Sequence, residues 1–435
     1  MSAGTDFRTT MGQGDALALL AVGSIRERRK VIAKHEANAP VALQNHAFIL
    51  RSLKHPDEIA TLRRIYGRAF CAVSAYSSRD QRIDRLSAEL CASEHGSDKT
   101  AYRDKAEILI RRDEEELETP LGQDVKDAFP LGDVFVRVDG RQSVQRDIAR
   151  FVEMLFGHPY HTPNKDEYGM FFARASALRS SDLSRQVGAV ITTPDGDLIS
   201  VGCNEVPQPG GGQYWPGEKD NRDFQVGYDS SVRAKQEMLA EVLHRLQKAG
   251  WLDPAKSTKD IDAMVSEAIS SGEKSLMANA RIMNVLEFGR IVHAEMAALM
   301  DAARRGLRVS GGTLYSTTFP CHNCARHIVA AGIGRVVYIE PYPKSMAREL
   351  YPDSIKDDYE GSTSHTTFAP FVGIAPRRYM ELFDMPKRKS RDGKIINWKP
   401  GDARPRLDRM NTTYLLTETM AVQKLSEKMQ TVGLG

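Results

Sequence analysis

The alternation of apolar and polar positions predicts short helices and strands along the whole chain. Before residue 155, it predicts helices over residues 14–34, 41–53, 80–91 and 102–116. Short apolar runs predict strands at residues 70–75 and 133–138. Strands that alternate with helices are typical of an α/β unit.

The rest of the chain continues this alternation. An amphipathic helix over residues 141–156 ends at Gly157-His158-Pro159, which marks a break. Pro194-Asp195-Gly196-Asp197 is a strong turn signal and predicts a hairpin. The further helices are predicted over residues 166–181, 232–249, 258–270, 292–305 and 415–429, and the further strands over residues 187–193, 198–203, 313–318 and 335–339.

These breaks predict three parts of the chain. Residues 1–155 form one α/β domain, residues 156–385 form a second, and residues 386–435 form a C-terminal extension. The second domain is interrupted by an insertion over residues 207–290, which predicts either a lid or a subunit contact. Within the extension, the basic run at residues 387–394 is typical of a solvated surface.

Composition places the chain among ordinary globular proteins. It has 435 residues, 41% of them hydrophobic and 27% charged, with a formal net charge of +3. This charge is compatible with an anionic nucleotide and too small to indicate nucleic acid. The absence of a long apolar run and the presence of five cysteines favour a cytoplasmic protein without a membrane span or a disulfide scaffold.

The candidate chemistry is concentrated between residues 291 and 340. His293-Ala294-Glu295 begins a predicted helix, and Pro320-Cys321-His322-Asn323-Cys324 begins the next one. One histidine and two cysteines can give Zn²⁺ three ligands and leave the fourth position for water, whose pKa the ion lowers. Glu295 stands close to this metal as a general acid and base. H-x-E followed by P-C-x-x-C is the signature of zinc-dependent nucleobase deaminases.

A structural zinc site would explain part of the same pattern. Such a site needs a fourth ligand, and Cys203, His322 and His327 are candidates. It does not explain the glutamate two residues after His293 or the proline before Cys321. The complete pattern therefore favours a catalytic zinc.

With residues 170–204, these motifs resemble the deoxycytidylate deaminase family, most closely the bacterial antiviral dCTP/dCMP deaminases. The first block contains Ser-x-Gln-Val-Gly-Ala at residues 184–189 and a Gly-x-Asn ending at Asn204. The resemblance implies a three-layer α/β/α cytidine-deaminase-like fold. It also implies a sugar contact by Asn204 and a phosphate-side loop at Gly210, Gly211 and Gly212. Arg185 and Lys344 are predicted to bind the anionic tail.

Residues 1–155 resemble the C-terminal part of a P-loop nucleotide kinase. Arg79 and Arg82 would then correspond to lid arginines. The Gly-x-x-x-x-Gly-Lys-Ser/Thr loop of such kinases is missing from the sequence, so this region is interpreted as a degenerate kinase-like module. Arg79 and Arg82 are expected to be solvated or ion-paired.

The sequence thus predicts a hydrolase that converts dCTP, dCMP or both to deoxyuridine nucleotides with release of ammonia. The resemblance implies a role in phage defence by depletion of the dCTP pool and, with the insertion, a homo-oligomer. Three alternatives remain open: a deaminase of bases in DNA, RNA or tRNA, a pterin or riboflavin-pathway deaminase, and a non-enzymatic nucleotide sensor with a structural zinc. Nucleic acid is not the expected substrate, because no dense basic and aromatic stripe is present.

Overall fold

The computed structural model describes residues 2–434 apart from 34–41, 44, 117–118, 120, 139, 218–219, 270–274, 278–279, 286–287, 343, 358–363, 386 and 407–412. No described helix combines the length and apolarity that crossing a bilayer requires. The chain divides into two compact units. Unit 1 combines Met1–Glu167 with Phe371–Gly435, and unit 2 is Tyr168–Pro370.

In the described ranges the helices are α1 (Ser2–Met11), α2 (Ala16–Ala33), α3 (Pro56–Tyr66), α4 (Arg79–Ser93), α5 (Arg103–Glu114), α6 (Val125–Ala128), α7 (Arg141–Leu155), α8 (Lys165–Ala177), α9 (Asp223–Val226), α10 (Ser230–Lys248), α11 (Pro254–Ser257), α12 (Ile261–Ile269), α13 (Ala294–Arg304), α14 (His322–Ala330), α15 (Ala347–Leu350), α16 (Pro376–Phe383) and α17 (Thr413–Thr431). The strands are β1 (Val73–Tyr76), β2 (Val134–Arg137), β3 (Gly188–Thr192), β4 (Leu198–Cys203), β5 (Thr313–Thr318), β6 (Arg335–Glu340), β7 (Ile355–Lys356), β8 (Thr366–Pro370) and β9 (Gly373–Ile374).

Most predicted elements are present within a few residues of their expected positions, and one helix is not. The described residues of segment 41–53 form no helix; residues 41 and 44 lie outside the described part. Asn45 and Ser52 have positive φ angles of 59° and 67°. Those values belong to the left-handed region, so they interrupt a right-handed helix.

Unit 1 is built around a small sheet with the order β1-β2-β9. β1 and β2 are parallel, and β9 pairs antiparallel with β2. Because β9, α16 and α17 belong to this unit, its C-terminal part begins earlier than the predicted extension at residue 386. The core contains Val134, Phe151 and Met154 together with Ile374 and Leu382.

The two predicted lid arginines of unit 1 are held in ion pairs. Arg82 Nη2 lies 2.8 Å from Glu114 Oε1, and Arg79 Nη2 lies 3.9 Å from Glu107 Oε2. Both partners are on α5, so the pairs link α4 to α5. This agrees with the expectation that these side chains are ion-paired.

Unit 2 contains a six-stranded mixed sheet with the order β4-β3-β5-β6-β8-β7. β3 is antiparallel to both β4 and β5, whereas β5, β6, β8 and β7 run parallel. Helices lie on both faces of this sheet. A Cβ added to Gly188 would meet α8 at Ala173 and Ala177, whereas one added to Gly202 would meet α13 at Ala294 and Ala298. Because Gly188 and Gly202 are offset by one residue in the β3–β4 register, they face opposite sides.

Gly202→Ala is expected to destabilise unit 2. The new Cβ would lie 2.3 Å from the Ala294 carbonyl oxygen and 2.4 Å from the Ala298 nitrogen, which are backbone atoms of α13. Overpacking of this kind costs about 1–3 kcal/mol in free energy of unfolding. Chemical denaturation measures the change, with Gly217→Ala as control because nothing lies within 4 Å of its added Cβ. Equal stability of the two variants would contradict this close approach.

Candidate functional site

The first part of the site is the N-terminus of α13. His293 is the N-cap residue, and Glu295 lies in the first turn. An isolated antiparallel bridge between Glu205 and Val292 fixes the chain just before His293. The close approach of α13 to Gly202 then directs the start of the helix toward the ends of the central strands.

The second part is the N-terminus of α14, which follows β5. Cys321 is the N-cap residue, and its Sγ accepts a hydrogen bond from the Cys324 backbone N–H at 3.5 Å. The Phe319 N–H donates to the Glu340 carbonyl at 2.8 Å, which holds the strand-to-helix turn against the end of β6. The carboxyl ends of parallel strands therefore present both cysteines to α13.

The three predicted metal ligands meet in one place. His293 Nδ1 lies 3.3 Å from Cys321 Sγ and 3.4 Å from Cys324 Sγ. Tetrahedral zinc with ligands at its usual bond lengths separates donors by roughly 3.5 Å, so the donor set fits Zn²⁺. Zinc is therefore the cofactor that this cluster is built to hold, through His293, Cys321 and Cys324.

Two of the candidate fourth ligands, Cys203 and His327, lie in other interactions. Cys203 Sγ lies 3.4 Å from Gln213 Oε1, and His327 Nδ1 bonds the Asn323 carbonyl at 2.7 Å. Among the described residues, the metal-donor group at this place contains only His293, Cys321 and Cys324, so His322 is outside it as well. Three protein ligands are the number found in catalytic zinc sites, whereas structural sites close the fourth position.

The electrostatics of the site favour a thiolate at Cys321. Hydrogen bonds from Cys324 and from His293 lower the pKa of Cys321 to about 4. The hydrogen bond to Cys321 in turn raises the pKa of His293 to about 9. Glu295 is only 4% exposed, and burial raises its pKa above the ordinary carboxyl value. Burial therefore makes this carboxyl a better proton acceptor than an exposed glutamate.

Glu295 faces both the metal donors and the central sheet. Its Oε2 lies 3.5 Å from Cys324 Sγ, and Ser316 Oγ, on β5, lies 3.5 Å from its Oε1. Glu295 lies beside the three donors, in the first turn of α13, but is not itself one of the grouped metal ligands. Glu295 can therefore exchange protons with a molecule that lies against the metal.

Two of the metal donors, His293 and Cys321, line a cavity of about 320 Å³ together with Glu295, and this volume is within the range of small-ligand sites. Its remaining lining comes from Asp182, Ser184, Arg185, Val187, Asn204, Asp223, Asp229, Ser230, Ser231, Val232, Lys235, Gly289, Arg290, Ile291, Ala294, Thr318, Phe319 and Tyr342. A small molecule that enters this cavity can thus reach both the metal donors and Glu295.

Arg185 and Asn204 both line the cavity. The guanidinium of Arg185 lies 5.2 Å from the centre of the Tyr342 ring, which places the cation at the wall. The Asn204 side chain donates to the Arg185 carbonyl at 2.8 Å and accepts from the Val187 N–H at 2.7 Å. Asn204 therefore fixes the shape of the segment that carries Arg185.

The predicted glycine loop lies elsewhere. Gly210, Gly211 and Gly212 do not line the cavity. Their φ angles of 89°, 103° and 77° belong to a tight loop, and Gly211 lies beside Arg304, at the opposite end of α13 from His293. The sequence therefore requires glycine here for backbone conformation. Lys344 is exposed, and its charge adds a smaller contribution to the desolvation that lowers the pKa of Lys235.

The insertion contributes a wall that the sequence did not reveal. Asp229 caps α10 by accepting from the Ser231 and Val232 N–H groups, and Lys235 follows one turn later. Arg290 is paired with Asp223 at 2.8 Å. Lys235 is half-buried, and desolvation lowers its pKa. The one available sequence signal was the N-cap Asp229 at the start of an amphipathic helix.

Comparisons with known proteins agree with this geometry. Residues 163–340 match the family model of the cytidine and deoxycytidylate deaminase zinc-binding region. The chain is 44% identical to the deoxycytidylate deaminase of Enterobacteria phage T4 over 132 residues, which are 29% of this chain and 66% of that protein. It is 24% identical over 174 residues to the probable deoxycytidylate deaminase of Drosophila melanogaster, or 40% of this chain and 58% of that protein. The chain thus spans less than two thirds of these relatives' lengths.

A solved structure gives a weaker likeness. The dCMP deaminase of cyanophage S-TIM5 in apo form aligns with 48% of this chain and 99% of its own, at 15% sequence identity and a TM-score of 0.25. The matched family region contains both halves of the donor cluster and Glu295.

Proposed function

We propose that this chain, whose residues 163–340 match the cytidine and deoxycytidylate deaminase zinc-binding region, hydrolytically deaminates deoxycytidine nucleotides to deoxyuridine nucleotides. The observation that supports this proposal is the position of Glu295, buried beside a His-Cys-Cys donor set and lining the same cavity as His293 and Cys321. A proton carrier would then lie next to the metal. It is the arrangement that attack of water on a cytosine ring requires.

The protein's own groups divide the work of the reaction. His293, Cys321 and Cys324 would hold the zinc, which supplies Lewis acidity that makes water a better nucleophile near neutral pH. Glu295 takes a proton from the water whose oxygen adds to C4 of the ring, and gives this proton to ring N3. Glu295 then takes the second proton from the new C4 hydroxyl and gives it to the exocyclic amine, so that the C4 carbonyl forms, the C4–N4 bond breaks and ammonia leaves.

We propose that Arg185 and Lys235 bind the phosphate end of the substrate, with Lys344 nearby. Both lining cations lie in the cavity that holds Glu295, and the mutual repulsion of Lys235 and Lys344 would be relieved by an anion. The carboxylates of the same wall are already engaged, since Asp229 caps α10 and Asp223 pairs with Arg290. Asn204 would hold the Arg185 backbone in place, on the side of the cavity where the sugar and phosphate of the substrate would bind.

The finer points of the proposal concern substrate and role. We propose that dCTP, dCMP or both are accepted, that the reaction depletes the deoxycytidine nucleotide pool in phage defence, and that the chain acts as a homo-oligomer in the cytoplasm. The kinase-like origin of residues 1–155 stays a prediction. We infer from the modest net charge that nucleic acid is not the substrate.

A single panel of substrates tests the proposed reaction. The zinc-loaded protein is incubated with dCMP, dCTP, CMP, CTP, deoxycytidine and a cytosine-bearing oligonucleotide, and ammonia and uracil products are measured. Deamination of dCMP or dCTP is the expected result. Ammonia from the oligonucleotide alone would assign the chain to polynucleotide deaminases, and ammonia from none of them would contradict the proposal.

Lys235→Ala and Arg185→Ala are expected to reduce kcat/KM for nucleotides and to spare deoxycytidine. Each removes a charge-assisted hydrogen bond worth about 1.5–3 kcal/mol, or roughly 10- to 100-fold in kcat/KM. Lys248→Ala serves as the control, because Lys248 is exposed at the far end of α10. An equal loss on nucleotide and nucleoside would show that these cations do not bind phosphate.

A further inference from the structure

A second group of potential metal ligands lies in unit 1, outside the proposed deaminase site. It consists of Glu153, in the last turn of α7, and of His158 and His161 in the segment that follows this helix. One ligand atom from each residue lies within 4.8 Å of the others. His161 Nε2 and Glu153 Oε2 are 2.6 Å apart, and the two imidazole rings have their centres 4.3 Å apart.

The backbone that carries these side chains is tied to the C-terminal part of unit 1. Trp398 Nε1 donates to the Phe156 carbonyl at 3.1 Å, and Arg388 Nε donates to the Pro159 carbonyl at 2.8 Å. The Trp398 ring also lies edge-on to the His158 ring, with the centres 4.8 Å apart. These contacts hold the rings together before any ligand arrives, which reduces the ordering that binding requires.

We propose that Glu153, His158 and His161 form a second divalent cation site, selective for zinc and similar transition metals. Two imidazoles with one carboxylate are a donor set typical of Zn²⁺. Mg²⁺ and Ca²⁺ prefer sites built from oxygen atoms, so two nitrogen donors disfavour them. The site differs from the His293 cluster because it contains no thiolate.

Binding requires that protons leave the site. The hydrogen bond between Glu153 Oε2 and His161 Nε2 joins two of the ligand atoms, and a bound cation would replace its proton. His158 Nδ1 accepts the Tyr160 N–H at 3.3 Å, so a cation that binds Nδ1 displaces this long hydrogen bond. A cation that binds Nε2 instead requires that the ring proton move to Nδ1. The affinity of the site is therefore expected to fall with decreasing pH.

The bound cation would join the end of α7 to the segment that leads to α8. Three protein ligands leave at least one position for water. Since Glu153 and His161 both lie in unit 1, the cation would stabilise that unit without touching the proposed catalytic residues.

The test counts metal ions in the full chain. Wild-type protein is incubated with ZnCl₂, dialysed, and analysed for zinc; about two equivalents per chain are expected. His161→Ala and the near-isosteric Glu153→Gln should each lose about one equivalent and keep deaminase activity, and Cys324→Ala should lose the other. His244→Ala is the matched control, because His244 is exposed on α10 and belongs to neither group.

X-ray absorption at the zinc edge provides a readout independent of activity. Zinc retained by Cys324→Ala should show nitrogen and oxygen ligands without sulfur, and it should disappear when Glu153→Gln is added. About one equivalent in wild type, combined with none in Cys324→Ala, would overturn the second site and leave the proposed function intact. If the wild-type protein binds this second zinc but does not deaminate any substrate, the proposed function is contradicted and the second site is not.

Discussion

Glu295→Gln is expected to lower kcat by about 100- to 10,000-fold or more, because one carboxyl handles several proton transfers. The amide keeps the shape of the buried side chain but can neither accept nor deliver a proton. The zinc donors His293, Cys321 and Cys324 are untouched, so zinc content and nucleotide binding should stay close to wild type. Steady-state kinetics and metal analysis on the same preparation measure both effects.

Asp301→Asn is the control for this substitution. Asp301 is a carboxylate on the same helix, close to its other end, where it pairs with Arg304 and Arg305. Activity close to wild type is expected, because Asp301 does not line the cavity. A Glu295→Gln enzyme that kept a tenth of the wild-type rate would remove Glu295 from the proton-transfer role.

Cys324→Ala is expected to abolish both deamination and zinc binding at the His293 cluster. Cys324 is fully buried, and its loss leaves two protein ligands where catalytic zinc sites have three. Added zinc should not restore activity, since the missing ligand cannot be replaced by excess metal. Elemental analysis and ammonia release measure the two effects on one sample.

Cys203→Ala separates the loss of a zinc ligand from the loss of a buried thiol. Cys203 is also buried in unit 2, but its Sγ lies against Gln213 rather than in the donor cluster. The Cys203→Ala protein should therefore keep its zinc and its activity. Full activity in a Cys324→Ala protein free of zinc at this cluster would rule out metal-assisted chemistry there.

The zinc cluster could be predicted from sequence because its determinants are local. His293 and Glu295 are two residues apart at a helix start, and Cys321 and Cys324 are three apart at the next one. Helix caps and short spacings of this kind are set by neighbouring residues. The strand between the two motifs then brings them together, as the predicted order of elements implied.

The wall of the cavity that the insertion contributes could not be predicted in the same way. Lys235 reaches it from the insertion, and its position depends on how residues far apart in the chain pack. Glycines such as Gly210–Gly212 have two readings in a sequence, since positive φ angles and approach to phosphate both favour glycine. In the described part of residues 41–53 no helix forms, although its composition is acceptable for one, because Asn45 and Ser52 have left-handed backbone angles.

The arrangement of unit 1 fixes an order in which the molecule can be completed during synthesis. Its two parts are separated in the chain by the whole of unit 2. α17 packs against α2, where Leu425 joins a core with Met11 and Leu19, and Glu418 pairs with the buried Arg29. The ribosome releases residues 168–370 before α17, so unit 2 can fold while α1 and α2 still lack α17. The first segment to be made is thus among the last to acquire its native core.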